Sequence, residues 1–193
     1  MDGTTTARSW PRVKWTRAGQ VAALAGDNVQ LEDMLELPPS EAFARMRARD
    51  AVEATHFIAH CLPRLQALQW LSQCLATMTP TTLARRLAAR KAVNRWLADP
   101  SDANRRLAFE AGDNAGFDTP EGCACLTLFL SGGSLAPATQ EQPVLPPPAA
   151  FGQLLASAVL LATLNDDPPN HARRLATALA DAEQLAATAE GRA

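Results

Sequence analysis

The sequence predicts an all-α protein: a single-domain bundle of seven or eight mostly antiparallel helices with a proline-rich extended strap. The apolar fraction, 47% of the 193 residues, is dominated by Ala and Leu, with no Tyr and only 5% aromatics. Such residues favour helix, and the β-branched runs that mark strands are missing. Apolar positions recur at three- and four-residue steps, for example Phe57, Cys61, Leu65, Leu68, Leu71 and Leu75. Thr79-Pro80, Asp99-Pro100 and Thr119-Pro120 each pair a capping side chain with a proline suited to the first helical position.

Taken in order, Thr16 is placed to cap a short helix through Ala25, and Ser40-Glu41 to start a second with Phe43 and Met46 on one face. From Asp50 a longer pattern contains Pro63, which should split or kink it, because proline cannot donate to the ladder and clashes with the preceding turn. The three proline starts follow at twenty-residue intervals, room for a helix and a short turn each time. Asp102 and Glu121 stand in first turns, where the helix dipole favours an acid. The segments between these starts do not match one another, so the spacing does not read as a repeat. Asp113-Asn114-Ala115-Gly116 is a C-terminal stop, and Gly132 or Gly133 is expected to take the left-handed conformation that ends the helix from Thr119. Ala149 to Leu164 is the most apolar window; it is short for a membrane span and reads as a buried core helix. The last helix should bury Leu175, Leu179, Ala182 and Ala186.

These elements place residues 16–193 in one helical domain, with the strap at 131–148. Residues 1–15 form an N-terminal segment free to be flexible. In the strap, Leu135 and Val144-Leu145 are placed to pin it to the domain, and Pro146 to Pro148 to deliver the chain to the next helix.

The net charge of −2, with Arg interleaved among Asp and Glu, gives no footprint for nucleic acid. The basic N-terminal residues lead into no apolar run of signal-peptide length. Four Cys in apolar helical surroundings are too sparse for a disulfide scaffold and read as reduced thiols in a cytoplasmic protein.

Four features invite a chemical reading. Glu53, His56 and His60 share one helical face, a spacing able to hold a transition metal, although the carboxylate lies outside the two histidines as it does not in HExxH. The alternative is a polar helix edge. Cys123 and Cys125 are two apart, so on a helix they point about 200° from each other and cannot share one ion. Ser131-Gly132-Gly133-Ser134 follows no strand and precedes no Lys-Ser or Lys-Thr helix start, which excludes a nucleophile elbow and a phosphate loop. Trp70 and Trp96 belong in the core; Trp10 and Trp15 either pack back on the domain or anchor a partner, and Pro143, Pro146, Pro147 and Pro148 offer a polyproline contact.

Several stretches together resemble an uncharacterised family of bacterial proteins, a domain of unknown function: LPRLQALQW from Leu62, RWLADPSDANRRLAFEAGDNAGFDTPEG from Arg95, LSGGSLAP from Leu130 and PVLPPP from Pro143. Trp70, Pro100, Arg105, Arg106, Pro120, the Gly132-Gly133 pair, Pro137 and Pro148 carry most of it, over roughly residues 50–165. Gly122-Cys123 departs from it where a larger residue is expected, which predicts looser packing of that helix. The family's association with type VI secretion gene neighbourhoods implies a cytoplasmic accessory protein, an adaptor or chaperone binding a secretion-system component or effector. No catalytic residue, cofactor or metal comes with the resemblance. The competing expectations are a metal protein or enzyme using Glu53, His56 and His60, and an immunity protein against a toxin.

Overall fold

The structure is a computed structural model, and it describes residues 10–137, 139–165 and 167–188. Among these residues it is all-α, with nine α-helices and three short 3₁₀ turns. The helices are α1 (Ala18–Ala25), α2 (Pro39–Arg49), α3 (Ala51–Cys61), α4 (Arg64–Met78), α5 (Ala84–Ala98), α6 (Asp102–Ala115), α7 (Pro120–Phe129), α8 (Ala150–Leu164) and α9 (His171–Ala187). The count exceeds the expected seven or eight because Pro63 breaks the chain completely: Leu62 and Pro63 are both extended, and α4 begins afresh at Arg64. No helix among the described residues is long and apolar enough to cross a membrane.

Helix α8 lies at the centre, packing on α3, α4, α7 and α9. It buries Leu155, Ala156, Ala158, Val159 and Ala162, so residues on more than one face are enclosed, as its continuous apolar sequence predicts. The short turns at 99–101 and 116–119 fold α5 onto α6 and α6 onto α7. Trp70 is fully buried and donates from its indole N–H to the Ala178 carbonyl at 2.8 Å, tying α4 to α9. The predicted apolar face of the last helix is buried at all four positions.

Two of the three proline starts need correction. α5 begins at Ala84, not at Thr79-Pro80. Thr79 is buried, donates to the Leu75 carbonyl at 2.8 Å and to Glu121 at 2.8 Å, and so closes α4 instead of opening α5. α6 is capped by Ser101, whose hydroxyl accepts from the Asn104 N–H at 3.3 Å, while Asp99 receives the Asn104 side chain. Thr119-Pro120 behaves as expected, with the Thr119 hydroxyl accepting from the Gly122 N–H at 3.1 Å. The first helix likewise starts at Ala18, with the side chain of Gln20 accepting from Thr16 and Arg17.

The expected looseness at Gly122 is overturned. A Cβ there would stand 1.9 Å from the Gly116 carbonyl oxygen and 3.0 Å from that of Gly112. The backbones of α6 and α7 meet at this point, so glycine is what permits the close approach and nothing larger fits.

Candidate functional site

Glu121, at the start of α7, is fully buried. It receives Arg86 at 2.6 Å, Arg90 at 2.6 Å and the Thr79 hydroxyl, which joins the end of α4, α5 and α7. Burial pushes its carboxyl up, but the hydrogen bonds from Arg86, Arg90 and Thr79 outweigh burial and hold it below the ordinary value. This is a structural knot: its acceptors are saturated from within the fold.

The residues that carry the family resemblance build a second knot. Arg105 is buried and donates to the carbonyls of Phe129 at 2.7 Å and Ser134 at 2.8 Å, and to Asp102 at 2.6 Å. Arg106 reaches the same Ser134 carbonyl at 3.1 Å. Gly133 has φ +71°, and a Cβ on it would lie 2.9 Å from the Arg105 guanidinium. Gly133 therefore makes room for the guanidinium clamp, while a Cβ on Gly132 would meet Arg64 at 3.1 Å. α7 itself ends at Phe129, so the left-handed glycine belongs to the turn beyond the helix and not to its cap.

The strap is a closed loop. The Leu135 N–H donates to the Val144 carbonyl at 2.7 Å, and the Ser134 hydroxyl accepts from the N–H groups of Ala136 and Val144. Leu135 is half-buried, but Val144 and Leu145 are 48% and 70% exposed, so at that end backbone bonds and not the expected side-chain pinning hold the loop. Pro143, Pro147 and Pro148 are exposed and Pro146 is half-buried.

The structure does not bring Glu53, His56 and His60 together as ligands. Glu53 turns to Arg49, at 2.7 Å, and accepts the Gln30 N–H at 2.6 Å, which ties the 26–34 segment to α3. His56 is half-buried, and burial first, then the neighbouring His60, holds its imidazole below the ordinary value. Among the described residues no group of three or more His, Cys, Asp or Glu side chains is placed to hold a metal ion. All four thiols are free and buried; Cys125 faces the Ala89 carbonyl of α5 and Cys123 that of Leu154 in α8, opposite directions as the helical geometry requires. Burial pushes the Cys125 and Cys74 thiols up to about 12 and Cys123 to about 11, which keeps them protonated and unreactive.

Trp10 is buried against Phe43, with ring centroids 5.3 Å apart. The half-buried Trp15 donates its indole N–H to the His60 carbonyl at 3.0 Å, and Lys14 Nζ sits 4.3 Å over its ring. Residues 10–15 are thus laid on the domain; residues 1–9, the rest of the segment expected to be flexible, lie outside the described residues.

Docking this segment on the α3–α4 corner creates a cavity of about 370 Å³. Trp15, Leu62 and Phe151 supply apolar wall, and Arg12, Lys14 and Arg64 supply positive charge. Among the described residues no acidic side chain lines it. The starts of two helices border it, α4 at Pro63-Arg64 and α8 at Phe151-Gly152; neither start has a side-chain cap or an acid in its first turn. His60, 8% exposed, lines the cavity as well. Its Nδ1 is 2.8 Å from the His56 carbonyl, while Nε2 is buried with no partner among the described residues. Gly152 gives the ring its space, since a Cβ there would fall 2.5 Å from Nε2.

Fold and site together define, among the described residues, an all-helical scaffold carrying a cationic, partly apolar cavity. The chain belongs to a family of unknown function, DUF6931, whose model matches residues 42–186. That match extends the sequence resemblance at both ends and begins after Arg12, Lys14 and Trp15, so one wall of the cavity comes from chain that precedes it. No curated protein and no solved structure matches the chain.

Sequence reasoning missed the cavity. Signals existed: Gly152 interrupts an otherwise apolar helix at a cost of about 1 kcal/mol relative to Ala, and the helix entries Leu62-Pro63-Arg64 and Pro147-Pro148-Ala149 offer no Ser, Thr, Asp or Asn cap.

Proposed function

We propose that the protein is a non-enzymatic binding module, a cytoplasmic adaptor or chaperone that engages a secretion-system component or effector through the cavity under Trp15. The cavity is the observation that supports this reading: an open concavity with Trp, Phe and Leu walls and an Arg-Lys rim has the composition of a protein-binding hot spot. The cores of α5–α7, in contrast, spend their charged and glycine residues on internal knots. The resemblance of the ordered motifs to proteins from type VI secretion neighbourhoods supports the bacterial secretion setting.

The test is a crosslinking pull-down from the native organism with the full chain, run beside Arg64→Glu, a reversal at an exposed rim residue. The expected outcome is a secretion component or effector recovered by the unaltered chain and lost by the variant. Recovery of neither under several conditions, or equal recovery by both, refutes the proposal.

A further inference from the structure

We infer that the cavity under Trp15 takes a phenol group, whose hydroxyl donates to Nε2 of His60. The inference rests on the reading of that cavity as a binding site and deepens it by naming the group recognised. His60 carries the argument. It is 8% exposed, it lines the cavity, and its Nδ1 stands 2.8 Å from the His56 carbonyl oxygen. A carbonyl only accepts, so Nδ1 bears the proton, and in the neutral ring Nε2 is an acceptor. That acceptor is buried with no partner among the described residues. A buried polar atom left so costs stability unless a donor reaches it.

The backbone beside the ring leaves room for that donor. A Cβ on Gly152 would fall 2.5 Å from Nε2, and Gly152 is itself part of the cavity wall. Any side chain at 152 would fill the space in front of the nitrogen; with glycine the space remains. The cavity, about 370 Å³, lies within the range of about 300–1,000 Å³ typical of small-ligand sites.

The rest of the wall selects among donors. Lys14 and Arg64 line the same space, so a cationic N–H donor is repelled and a neutral one is favoured. Trp15 and Phe151 are aromatic walls, and a ring between them gains edge-to-face or offset contact. Lys14 Nζ already lies 4.3 Å from the Trp15 centroid, and a bound ring offers the rim cations a second π face. A phenol joins such a face to a neutral hydroxyl donor in one group. The chain contains no Tyr, so the phenol comes from outside: a free aromatic alcohol or a tyrosine side chain of a partner.

The experiment is isothermal titration calorimetry of the full chain with 4-ethylphenol and with 1-ethyl-4-fluorobenzene, which keeps the ring and loses the donor. A blocked tyrosine peptide is titrated beside its phenylalanine counterpart. In at least one pair the hydroxyl compound is expected to bind about fivefold more tightly, the ratio that one net hydrogen bond supplies. His60→Phe, with its fold checked by circular dichroism, should bind both members of the pair alike. A second readout needs no substitution: in the ¹⁵N spectrum of the histidine-labelled chain, the His60 Nε2 resonance should move upfield with the hydroxyl compound and stay in place with its counterpart. Binding of 4-ethylphenol without the tyrosine peptide assigns the site to free phenols, and the reverse assigns it to a partner's tyrosine; either supports a phenol site. Equal affinity within both pairs, an Nε2 resonance unmoved at saturation, or no binding of either hydroxyl compound at millimolar levels overturns it. None of these outcomes bears on whether the pull-down recovers a secretion protein, so this inference and the adaptor reading fail separately.

Discussion

Glu121→Ala removes the carboxylate that Arg86 and Arg90 both face from 2.6 Å. The site is deep: Glu121 is fully buried and the Arg86 side chain is 10% exposed. Removing one partner of a buried ion pair costs about 3–5 kcal/mol, chiefly because charge stays behind in a dry environment. Against a total stability of about 5–15 kcal/mol, that is a large fraction, and for a chain of this size it lowers Tm by about 6–20 °C. The Thr79 hydroxyl, which also bonds Leu75, loses one partner and keeps the other. Urea denaturation followed by circular dichroism measures the loss; the triple variant E121M/R86M/R90M should recover much of it, because both signs of charge leave together. The pH profile is a second readout. The Glu121 carboxyl is held below its ordinary 4.5, so its contribution is present above that value and is lost as pH falls through the depressed one. The acid side of the stability curve should therefore be steeper in the unaltered chain than in Glu121→Ala. A destabilisation under about 1 kcal/mol, or identical acid limbs, refutes the argument that this triad locks α4, α5 and α7 together.

Other outcomes follow from the same structure. Gly122→Ala should destabilise by about 3 kcal/mol or more, since the clash is with backbone at 1.9 Å and not with a movable side chain; a melting temperature within 2 °C of the unaltered chain, about the shift of a 1 kcal/mol change, contradicts it. Arg105→Lys keeps the charge but cannot reach Phe129, Ser134 and Asp102 at once, so amide exchange in residues 131–144 should accelerate while exchange in α8 stays slow. All four thiols should resist a thiol reagent in the native chain at pH 8 and react in urea, because burial pushes Cys74 and Cys125 up to about 12. Adding zinc or a chelator should leave Tm unchanged, as Glu53 is engaged by Arg49 and Gln30.

What the sequence made legible was whatever is decided locally. The Thr119 cap, the Pro63 break, the stop at Gly116 and the apolar face of α9 each depend on a few neighbouring residues, and each was readable. Thr79-Pro80 looked the same locally and failed, because Thr79 was claimed by Glu121, 42 residues away. Gly122 failed for the same reason in reverse: a glycine that looked like a weak spot is the contact point of two backbones. Thr79 answers to a partner 42 residues away, and Gly122 to backbone of the preceding helix that the turn at 116–119 folds against it; neither contact is written in the pattern of immediate neighbours.

The candidate site follows that logic further. Its walls come from residues 12–15, Leu24, residues 59–64 and residues 148–152, four stretches that only the packing of α1, α3 and α8 unites. None of the four contains a motif on its own. The motif-rich stretch from Arg95 to Pro137 is instead consumed by the Arg105 clamp and the Glu121 knot, where charges face one another and leave little to offer a ligand. The physical distinction is one of balance. In both knots each arginine meets an acid or a carbonyl, whereas the cavity wall sets Lys14 and Arg64 beside two helix starts that no side chain caps, with no acid among the described lining residues.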